Sequence, residues 1–283
     1  YMSLPGISVL IGGMWVMNVS YWGFNQYIIQ RALAAKSVSE AQKGIAFAAF
    51  LKLLMPLIVV LPGIAMFSLN ADLATPDQAY PSAMALLPTG IKGLVFAALL
   101  AAIVSSLASM CNSISTIFTV DLLPSMVSES WLERNRVFSG RATALVAMAI
   151  AMAAAQPLLG NFDQAFQYIQ EFTGFFTPGI VAIFLLGMFW GKTTATGALL
   201  AAVGSAVLSL AMKLLLPMLP FIDRVGIVFL LCVGIAVVWS LARPQPQPGY
   251  IEPSGVSFST SNGFNAAAIV VTCILAFFYI TWW

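Results

Sequence analysis

The chain has 283 residues, of which 60% are hydrophobic and only 8% are charged, against roughly 25% charged residues in typical soluble domains. The formal net charge of +2 is too small to indicate a nucleic-acid partner. Histidine is absent from the sequence, which removes the commonest general base and metal ligand. The composition therefore predicts a polytopic membrane protein in a lipid bilayer and argues against hydrolases and metalloenzymes.

Apolar stretches of about 20 residues, the length that crosses a bilayer as a helix, recur along the whole chain. They predict an all-α fold with about eight spans, at 6–30, 44–68, 93–120, 140–157, 165–189, 196–216, 223–242 and 264–283. Basic residues concentrate in the connections 31–43 and 121–139, so the positive-inside rule places these connections in the cytoplasm. The proline-rich segment 243–263 is predicted to be an extended linker.

The first position is Tyr1 rather than an initiator methionine, and no basic leader region precedes the first apolar stretch. We therefore expect the chain to be the C-terminal part of a longer protein. A mature protein whose leader has been removed is the alternative interpretation.

The first predicted span contains a polar and aromatic cluster at membrane depth, from Asn18 to Gln26. Lipid cannot satisfy the hydrogen-bonding groups of this cluster, so they must face protein or a water-filled cavity. Aromatic faces beside amide and hydroxyl groups suit a neutral, polyhydroxylated solute. The cluster therefore predicts a substrate pocket.

The second predicted span carries Lys52 about eight residues from its cytoplasmic end. One interpretation is that the long side chain snorkels to the membrane surface. The other is that it faces the pocket, where its ammonium group would donate hydrogen bonds to a solute or relay charge.

Polar residues form one face of the third predicted span, at positions 105, 109, 112, 116 and 119. The later part of this face is interpreted as a seam of small residues that packs against another helix. Ser105 and Ser106 are better candidates for a functional role, because adjacent hydroxyls with nearby carbonyls offer oxygen ligands of the kind that bind sodium in transporters.

The fifth predicted span begins with glutamines at 164, 167 and 170, which share one helical face. They line an aqueous vestibule in one interpretation and form an ordinary polar helix end in the other. Gln170 is the deepest and offers both an amide oxygen and an NH2 group to a solute. Glu171 remains ambiguous, and Pro178 with Gly179 predicts a bend.

Other recurring features favour packing over chemistry. Gly197, Ala201 and Ser205 recur every four residues, which predicts a close helix–helix contact. The three cysteines lie in apolar runs and are expected to be buried free thiols: Cys111, Cys232 and Cys273. No glycine-rich phosphate loop is present, so an ATP-driven pump has no support in this sequence, and an ion gradient or passive flow would supply the driving force.

The run from Tyr21 to Arg31 is the most specific motif of the chain, with the sequence Tyr-Trp-Gly-Phe-Asn-Gln-Tyr-Ile-Ile-Gln-Arg. Further motifs lie in residues 36–44, 101–110, 168–174 and 192–198. Together these motifs resemble the sodium:solute symporter family, most closely its bacterial sodium/galactose branch, which is related to animal sodium/glucose cotransporters.

The resemblance implies a LeuT-like transporter built from two inverted repeats of about five helices each. Residues 1–189 would form the second repeat and residues 190–283 the additional C-terminal helices. The first predicted span would be the broken helix that opens this repeat. The first repeat would lie in a missing N-terminal half, without which we expect the chain not to transport.

The resemblance also implies which residues bind the transported species. Residues near the sugar would be Asn18, Tyr21, Trp22, Lys52 and Gln170. Tyr21 would be the aromatic gate, Asn18 would help to hold it, and Lys52 and Gln170 would donate hydrogen bonds to hydroxyls. Sodium would be bound by the carbonyl of Ala102 and the hydroxyls of Ser105 and Ser106. No organic cofactor is implied.

The expected function is sodium-coupled symport of a neutral sugar such as galactose or glucose, in the inner membrane of a bacterium. One alternative is a sodium symporter for a carboxylate-bearing solute such as proline or sialic acid, which Lys52 would also favour. The other is a non-transporting sensor or membrane enzyme on the same fold, and no cluster of nucleophile and base supports the enzyme.

Overall fold

The computed structural model describes residues 7–69, 73–159, 165–245 and 257–282, and the regular structure in these ranges is helical. The predicted vestibule residue Gln164 and most of the predicted linker 243–263 lie outside the described residues. The α-helices in chain order are α1 (Ile7–Val9), α2 (Trp15–Val19), α3 (Gln26–Leu33), α4 (Val38–Leu53), α5 (Met55–Ser68), α6 (Ala79–Ala85), α7 (Thr89–Ile117), α8 (Glu129–Leu159), α9 (Ala165–Gly174), α10 (Thr177–Phe189), α11 (Ala195–Leu215), α12 (Phe221–Ala242) and α13 (Asn262–Trp282).

Within the described ranges, six helical stretches are long and apolar enough to cross a membrane: Val38–Ser68, Thr89–Ser125, Glu129–Pro157, Ala195–Leu215, Phe221–Ala242 and Asn262–Thr281. The bent pair α9 and α10 would supply a seventh. The predicted class of all-α polytopic membrane protein is confirmed, and each predicted span from the second onward overlaps one of these stretches.

The first predicted span, 6–30, is not a continuous α-helix. Two π-helical segments, Leu10–Met14 and Ser20–Phe24, alternate with the short helices α1 and α2. Asn25 then adopts an extended backbone with φ −85° and ψ 114°, which separates these turns from α3. This region is therefore irregular, as the broken helix implied by the resemblance would be, and it is not among the stretches of membrane-crossing length.

Local sequence explains where α4 and α5 begin. The Ser37 hydroxyl accepts a hydrogen bond from the Glu40 backbone N–H at 3.2 Å, which is the geometry of an N-terminal cap, so α4 begins at Val38 rather than at the predicted residue 44. Pro56 stands in the first turn of α5, where its missing N–H costs little. The single residue Leu54 separates α4 from α5.

Internal contacts divide the chain into two units, the first formed by residues 1–29 and 166–259 and the second by residues 30–165 and 260–283. The predicted boundary at residue 189 separates the second inverted repeat from the additional C-terminal helices. A division by internal contacts does not test it, so it stays a prediction.

The core of the first unit lies where α10, α11 and α12 meet the irregular first segment. Its buried residues are Val16, Val181, Ala182, Ala201, Val225, Val228, Phe229, Cys232 and Ala236. Backbones approach closely here: a Cβ atom on Gly13 would lie 1.8 Å from the Ile222 carbonyl oxygen, and one on Gly226 would lie 2.6 Å from the Gly12 carbonyl carbon. Only glycine fits at these two positions of the contact.

A stripe of small residues on α11 provides the close contact that the four-residue spacing predicted. Gly197, Ala201 and Ser205 are all buried, as is Ser209 one turn later. A Cβ atom on Gly179 of α10 would lie 2.7 Å from the Ser205 Cβ, so α10 and α11 touch without large side chains between them. The packing interpretation of this stripe is confirmed.

The 44° bend between α9 and α10 has an identifiable cause. In an uninterrupted helix the Gly179 N–H would bond to the Phe175 carbonyl four residues earlier. Here the Ser205 hydroxyl accepts from the Gly179 N–H at 3.0 Å and donates to the Phe175 carbonyl at 2.8 Å. A side chain from α11 is thus inserted into the backbone hydrogen bonds of the bent pair, which is a known source of kinks.

The second unit is joined by polar contacts between its helices. The Ser115 hydroxyl of α7 donates to the Gly140 carbonyl of α8 at 2.8 Å, and Thr119 nearby is buried. Within the later part of the polar face of the third span, Thr119 is buried, as a packing seam predicts, whereas Asn112 is exposed. The Ser261 N–H donates to the Gln42 side-chain oxygen at 3.0 Å, which links the start of α13 to α4.

The cysteine prediction needs one correction. All three cysteines are free thiols, but only Cys232 is buried, Cys111 is half-buried and Cys273 is exposed. Cys273 lies on α13, an apolar helix of membrane-crossing length whose residues are largely exposed within the described ranges. An apolar run in a membrane helix therefore does not separate lipid-facing from protein-facing positions.

Candidate functional site

The polar and aromatic cluster lies at the second π-helical segment and its edges. The Tyr21 ring meets the rings of Trp22 and Tyr27 edge to face, with centroids 5.2 and 6.0 Å apart. Tyr21 and Trp22 remain 44% and 40% exposed, so both rings keep accessible surface for a ligand. Single π turns inside helices occur frequently at functional sites.

Asn18 stands one turn before Tyr21, at the end of α2. Its side-chain nitrogen donates to the Met14 carbonyl at 2.9 Å, which ties the amide to its own helix. The side chain is exposed, and its amide oxygen is an acceptor for a ligand. The implied role of holding Tyr21 stays a prediction, because the hydrogen bond in the structure is made to Met14.

Aromatic contacts anchor this segment to the core on both sides of the cluster. The Trp15 ring packs edge to face on Phe229 of α12 at 5.1 Å. The Phe24 ring stacks on Phe184 of α10 at 4.6 Å with the planes 9° apart. These contacts, together with the backbone contact at Gly13, fix the residues that flank Tyr21 within the first unit.

Gln170 belongs to the same unit as Asn18, Tyr21 and Trp22. It lies on α9, and its side chain is half-buried. Its backbone carbonyl accepts a hydrogen bond from the Thr173 hydroxyl at 3.0 Å. The next residue, Glu171, is bound by two cationic side chains, Lys213 and Arg224.

Lys52 belongs to the second unit and is the penultimate residue of α4. Its side chain is exposed on the surface of that unit. The two interpretations of this lysine, snorkelling and pocket-facing, both remain compatible with that exposure.

Ala102, Ser105 and Ser106 lie within one turn of α7 and are exposed on the second unit. Positions i, i+3 and i+4 share one helical face, so the Ala102 position and the two serine side chains lie on the same side of α7. The Ser105 carbonyl is already engaged, since it accepts from the Ser109 hydroxyl at 3.0 Å. The candidate ligand atoms for a cation are uncharged oxygens, which suit an alkali cation better than a transition metal.

A polar cleft lies beside these serines, between α3 and α7. The Arg31 guanidinium donates to the Ser109 hydroxyl at 2.6 Å, and the Asn112 amide donates to the Gln30 side-chain oxygen at 3.4 Å. The cleft is lined by Gln30, Arg31, Ala34, Ala108, Ser109 and Asn112. All six lining residues belong to the second unit.

Sequence reasoning missed three of the residues that organise these regions. Arg31 was interpreted only as a cytoplasmic charge, although it hydrogen-bonds α7. Arg224 lies at the start of the predicted span 223–242, and neither its burial on α12 nor its pairing with Glu171 was predicted. Ser205 was recognised as a packing residue, and its hydrogen bonds across the bend have no signature in the spacing.

Comparison with known proteins identifies the family. The sequence model of the sodium:solute symporter family matches residues 1–204. A sodium/glucose cotransporter of Vibrio parahaemolyticus is 48% identical, over 100% of this chain and 55% of that protein. A sodium/mannose cotransporter of Bos taurus is 29% identical, over 94% of this chain and 54% of that protein.

A third relative, sodium/myo-inositol cotransporter 2 of Homo sapiens, is 35% identical over 73% of this chain and 33% of that protein. The chain thus spans about half, or less, of the length of these curated relatives. The match of the family model over most of the chain and the 48% identity agree with the motifs of the sequence. The chain belongs to the sodium:solute symporter family.

Proposed function

We propose that this chain is the C-terminal part of a sodium-coupled symporter that carries a neutral sugar such as galactose or glucose across a bacterial inner membrane by alternating access. The observation that carries the proposal is the aromatic and amide cluster of Asn18, Tyr21 and Trp22, which lies on irregular backbone in a membrane protein of this family. Transporters use such interrupted helices to bind substrate near the middle of the bilayer. The relatives named for glucose, mannose and myo-inositol support a polyhydroxylated solute.

In this proposal the sugar is bound by Asn18, Tyr21, Trp22, Lys52 and Gln170. The rings of Tyr21 and Trp22 contact the apolar face of the sugar, and the amides and the ammonium group hydrogen-bond its hydroxyls. Tyr21 acts as the inner gate, and its movement releases the sugar to the cytoplasm. Sodium, the co-transported ion, is bound by the Ala102 carbonyl and the hydroxyls of Ser105 and Ser106.

Coupling requires that each ligand binds one conformation of the transporter better than the other. Sodium bound at Ser105 and Ser106 would favour the conformation in which the sugar site is formed. Residues 1–189 act in this scheme as the second inverted repeat, residues 190–283 supply additional helices, and a first repeat in the N-terminal half completes both sites. The proposal thus describes a transporter and not an enzyme.

A carboxylate-bearing solute is the second candidate substrate. The observation that favours it is the positive charge of Lys52 in a membrane-spanning helix. An exposed ammonium group would pair with a carboxylate such as that of proline or sialic acid. A neutral sugar is preferred because the remaining candidate ligands are rings and uncharged amides.

Uptake of radiolabelled galactose and glucose into proteoliposomes containing the full-length symporter tests the proposal. We expect sodium-dependent uptake that is lost in Tyr21→Ala and largely kept in Tyr21→Phe, which preserves the ring. This chain alone should not transport. If the folded full-length protein takes up proline or sialic acid but neither sugar, and Lys52→Met abolishes that uptake, the sugar assignment is wrong and the carboxylate alternative holds.

A further inference from the structure

A charged cluster on α9, α11 and α12 stands outside the residues proposed to bind sugar or sodium. A single oxygen, Oε1 of Glu171, accepts from Arg224 Nη2 at 2.8 Å and from Lys213 Nζ at 2.9 Å. The Arg224 side chain is 6% exposed, whereas Lys213 is 45% exposed. Both cations also lie over the ring of Phe175, at 5.8 Å for Lys213 and 5.7 Å for Arg224. One carboxylate therefore joins three helices.

The cluster provides polar contacts from α9 to α11 and α12, and α9 has little buried apolar surface of its own. On α10, five residues are buried: Thr177, Pro178, Gly179, Val181 and Ala182. On α9, the buried residue is Gly174 at its C-terminal end. The 44° bend at residues 175–176 separates the two helices. Apolar packing thus fixes α10, and ion pairs at Glu171 hold α9.

Gln170 precedes Glu171 on this weakly packed helix. Consecutive residues of an α-helix point about 100° apart, so the direction of one side chain fixes the direction of the next. When Arg224 and Lys213 hold the Glu171 carboxylate against α11 and α12, they also set the rotation of α9 and the direction in which Gln170 projects.

We propose that Glu171 is a positioning residue for the sugar site: its carboxylate, held by Arg224 and Lys213, orients α9 so that Gln170 is presented to the sugar. This inference rests on the proposed function and assigns Glu171 no contact with the sugar. Its carboxylate is already engaged by two cations, and loss of the negative charge would leave Arg224 and Lys213 facing each other without a counter-ion.

The test measures sugar uptake by the full-length symporter in proteoliposomes and determines KM, Vmax and the half-saturating sodium concentration. Glu171→Gln should raise the sugar KM about threefold to tenfold, the loss expected for one weakened hydrogen bond. Glu171→Asp, which keeps the charge, should restore part of the loss. At saturating sugar, half-saturation by sodium should not change, because the serines proposed to bind sodium lie on α7.

Asp223→Asn is the matched control, because it removes the same charge beside Arg224. Asp223 accepts a hydrogen bond from Ser8 at 3.2 Å and is not part of the cluster at Glu171. It should leave the sugar KM unchanged. An increase in KM equal to that of Glu171→Gln would show that general electrostatics rather than positioning is responsible, and would overturn the proposal.

A double-mutant cycle separates positioning from direct binding. In a Gln170→Ala background, Glu171→Gln should cause no further increase in KM, because the group that it positions is gone. If the two increases multiply, Glu171 binds the sugar itself and the proposal is wrong. If Glu171→Gln does not fold, Lys213→Met in the same two backgrounds gives the same comparison, with an expected rise of about twofold. Failure of the unmodified symporter to take up any neutral sugar would instead refute the proposed function.

Discussion

The Arg31 guanidinium donates a 2.6 Å hydrogen bond to the hydroxyl of Ser109, 78 positions further along the chain. The same hydroxyl donates to the Ser105 carbonyl at 3.0 Å. Arg31 is on the helix that follows Tyr21, and Ser105 is a proposed sodium ligand. Within the second unit, a short chain of two hydrogen bonds therefore connects α3 to the proposed sodium site on α7.

A double-mutant cycle on this contact should show measurable coupling. We expect Arg31→Gln and Ser109→Ala each to lower the unfolding free energy of the full-length protein in lipid bicelles. The coupling energy should be about 0.6 kcal/mol, the average for hydrogen bonds between membrane helices, and no more than about 1.7 kcal/mol. Additive effects of the two substitutions would show that the contact does not contribute to stability.

Removal of the Ser205 hydroxyl should destabilise the first unit. Ser205→Ala leaves the Gly179 N–H and the Phe175 carbonyl without their shared partner, at a cost of about 1–3 kcal/mol. Ser209→Ala is the matched control one turn away, because the buried Ser209 hydroxyl has no hydrogen-bond partner in the part of the chain that the structure describes. The midpoint of thermal unfolding in detergent should fall only for Ser205→Ala, and an equal fall for both would contradict the inserted hydrogen bonds.

The backbone contact at Gly226 should reject even one methyl group. Gly226→Ala would place a Cβ atom 2.6 Å from the Gly12 backbone, so the helices must separate at a cost of about 1–3 kcal/mol. Gly234→Ala on the same helix meets nothing within 4 Å and should be neutral or stabilising by up to about 1 kcal/mol. Thermal unfolding of the two variants provides the comparison, and equal midpoints would contradict the close contact.

The two cations of the Glu171 cluster should contribute unequally to stability. Arg224 is buried, and Arg224→Met should cost about 3 kcal/mol, at the low end of the range for breaking a buried ion pair. Lys213 is half-exposed, and Lys213→Met should cost less than about 1 kcal/mol. Unfolding midpoints of the two variants test this order, and a larger fall for Lys213→Met would show that the buried pair is not the stronger contact.

Ser106→Ala should weaken sodium activation of transport. The contact between sodium and a hydroxyl oxygen is an ion–dipole interaction; taking for it the about 1.5–3 kcal/mol of a charge-assisted hydrogen bond, loss of one oxygen ligand should raise half-saturating sodium about tenfold or more. Sugar KM at saturating sodium should change little. Thr272→Val is a control on α13, where the hydroxyl bonds the Ala268 carbonyl of its own helix at 2.8 Å, and it should leave sodium activation unchanged.

The positions of the spans were predictable because the thickness of the bilayer sets the number of consecutive apolar residues that a crossing helix needs. The start of α4 was also readable in principle, since Ser37 and Glu40 have the spacing of a capping box, but the apolar window placed the start at residue 44. The π-helical turns around Tyr21 were not predictable, because hydrophobic periodicity does not distinguish them from an α-helix, and the contacts of Gly13 and Trp15 with α12 are tertiary. Periodicity in one segment carries no information about such tertiary contacts.

The residues of the candidate site were also predictable in part. The motif from Tyr21 to Arg31 and the adjacent Ser105 and Ser106 were visible as unusual polar groups in apolar spans. The partners of Glu171 were not, because Arg224 is 53 positions away and a charge near a predicted span end gives no sign of burial. Charges at span ends are therefore better judged from packing than from their distance to the membrane surface.

The hydroxyl of Ser205 ties the bend between α9 and α10 to a neighbouring helix. It pairs both the Gly179 N–H and the Phe175 carbonyl. A straight helix is opposed at this point by Pro178, which has no N–H to donate and whose ring would clash with the Gly174 carbonyl four residues earlier. A displacement of α11 would withdraw the shared partner of the two main-chain groups, so the angle of the helix pair depends on the position of α11.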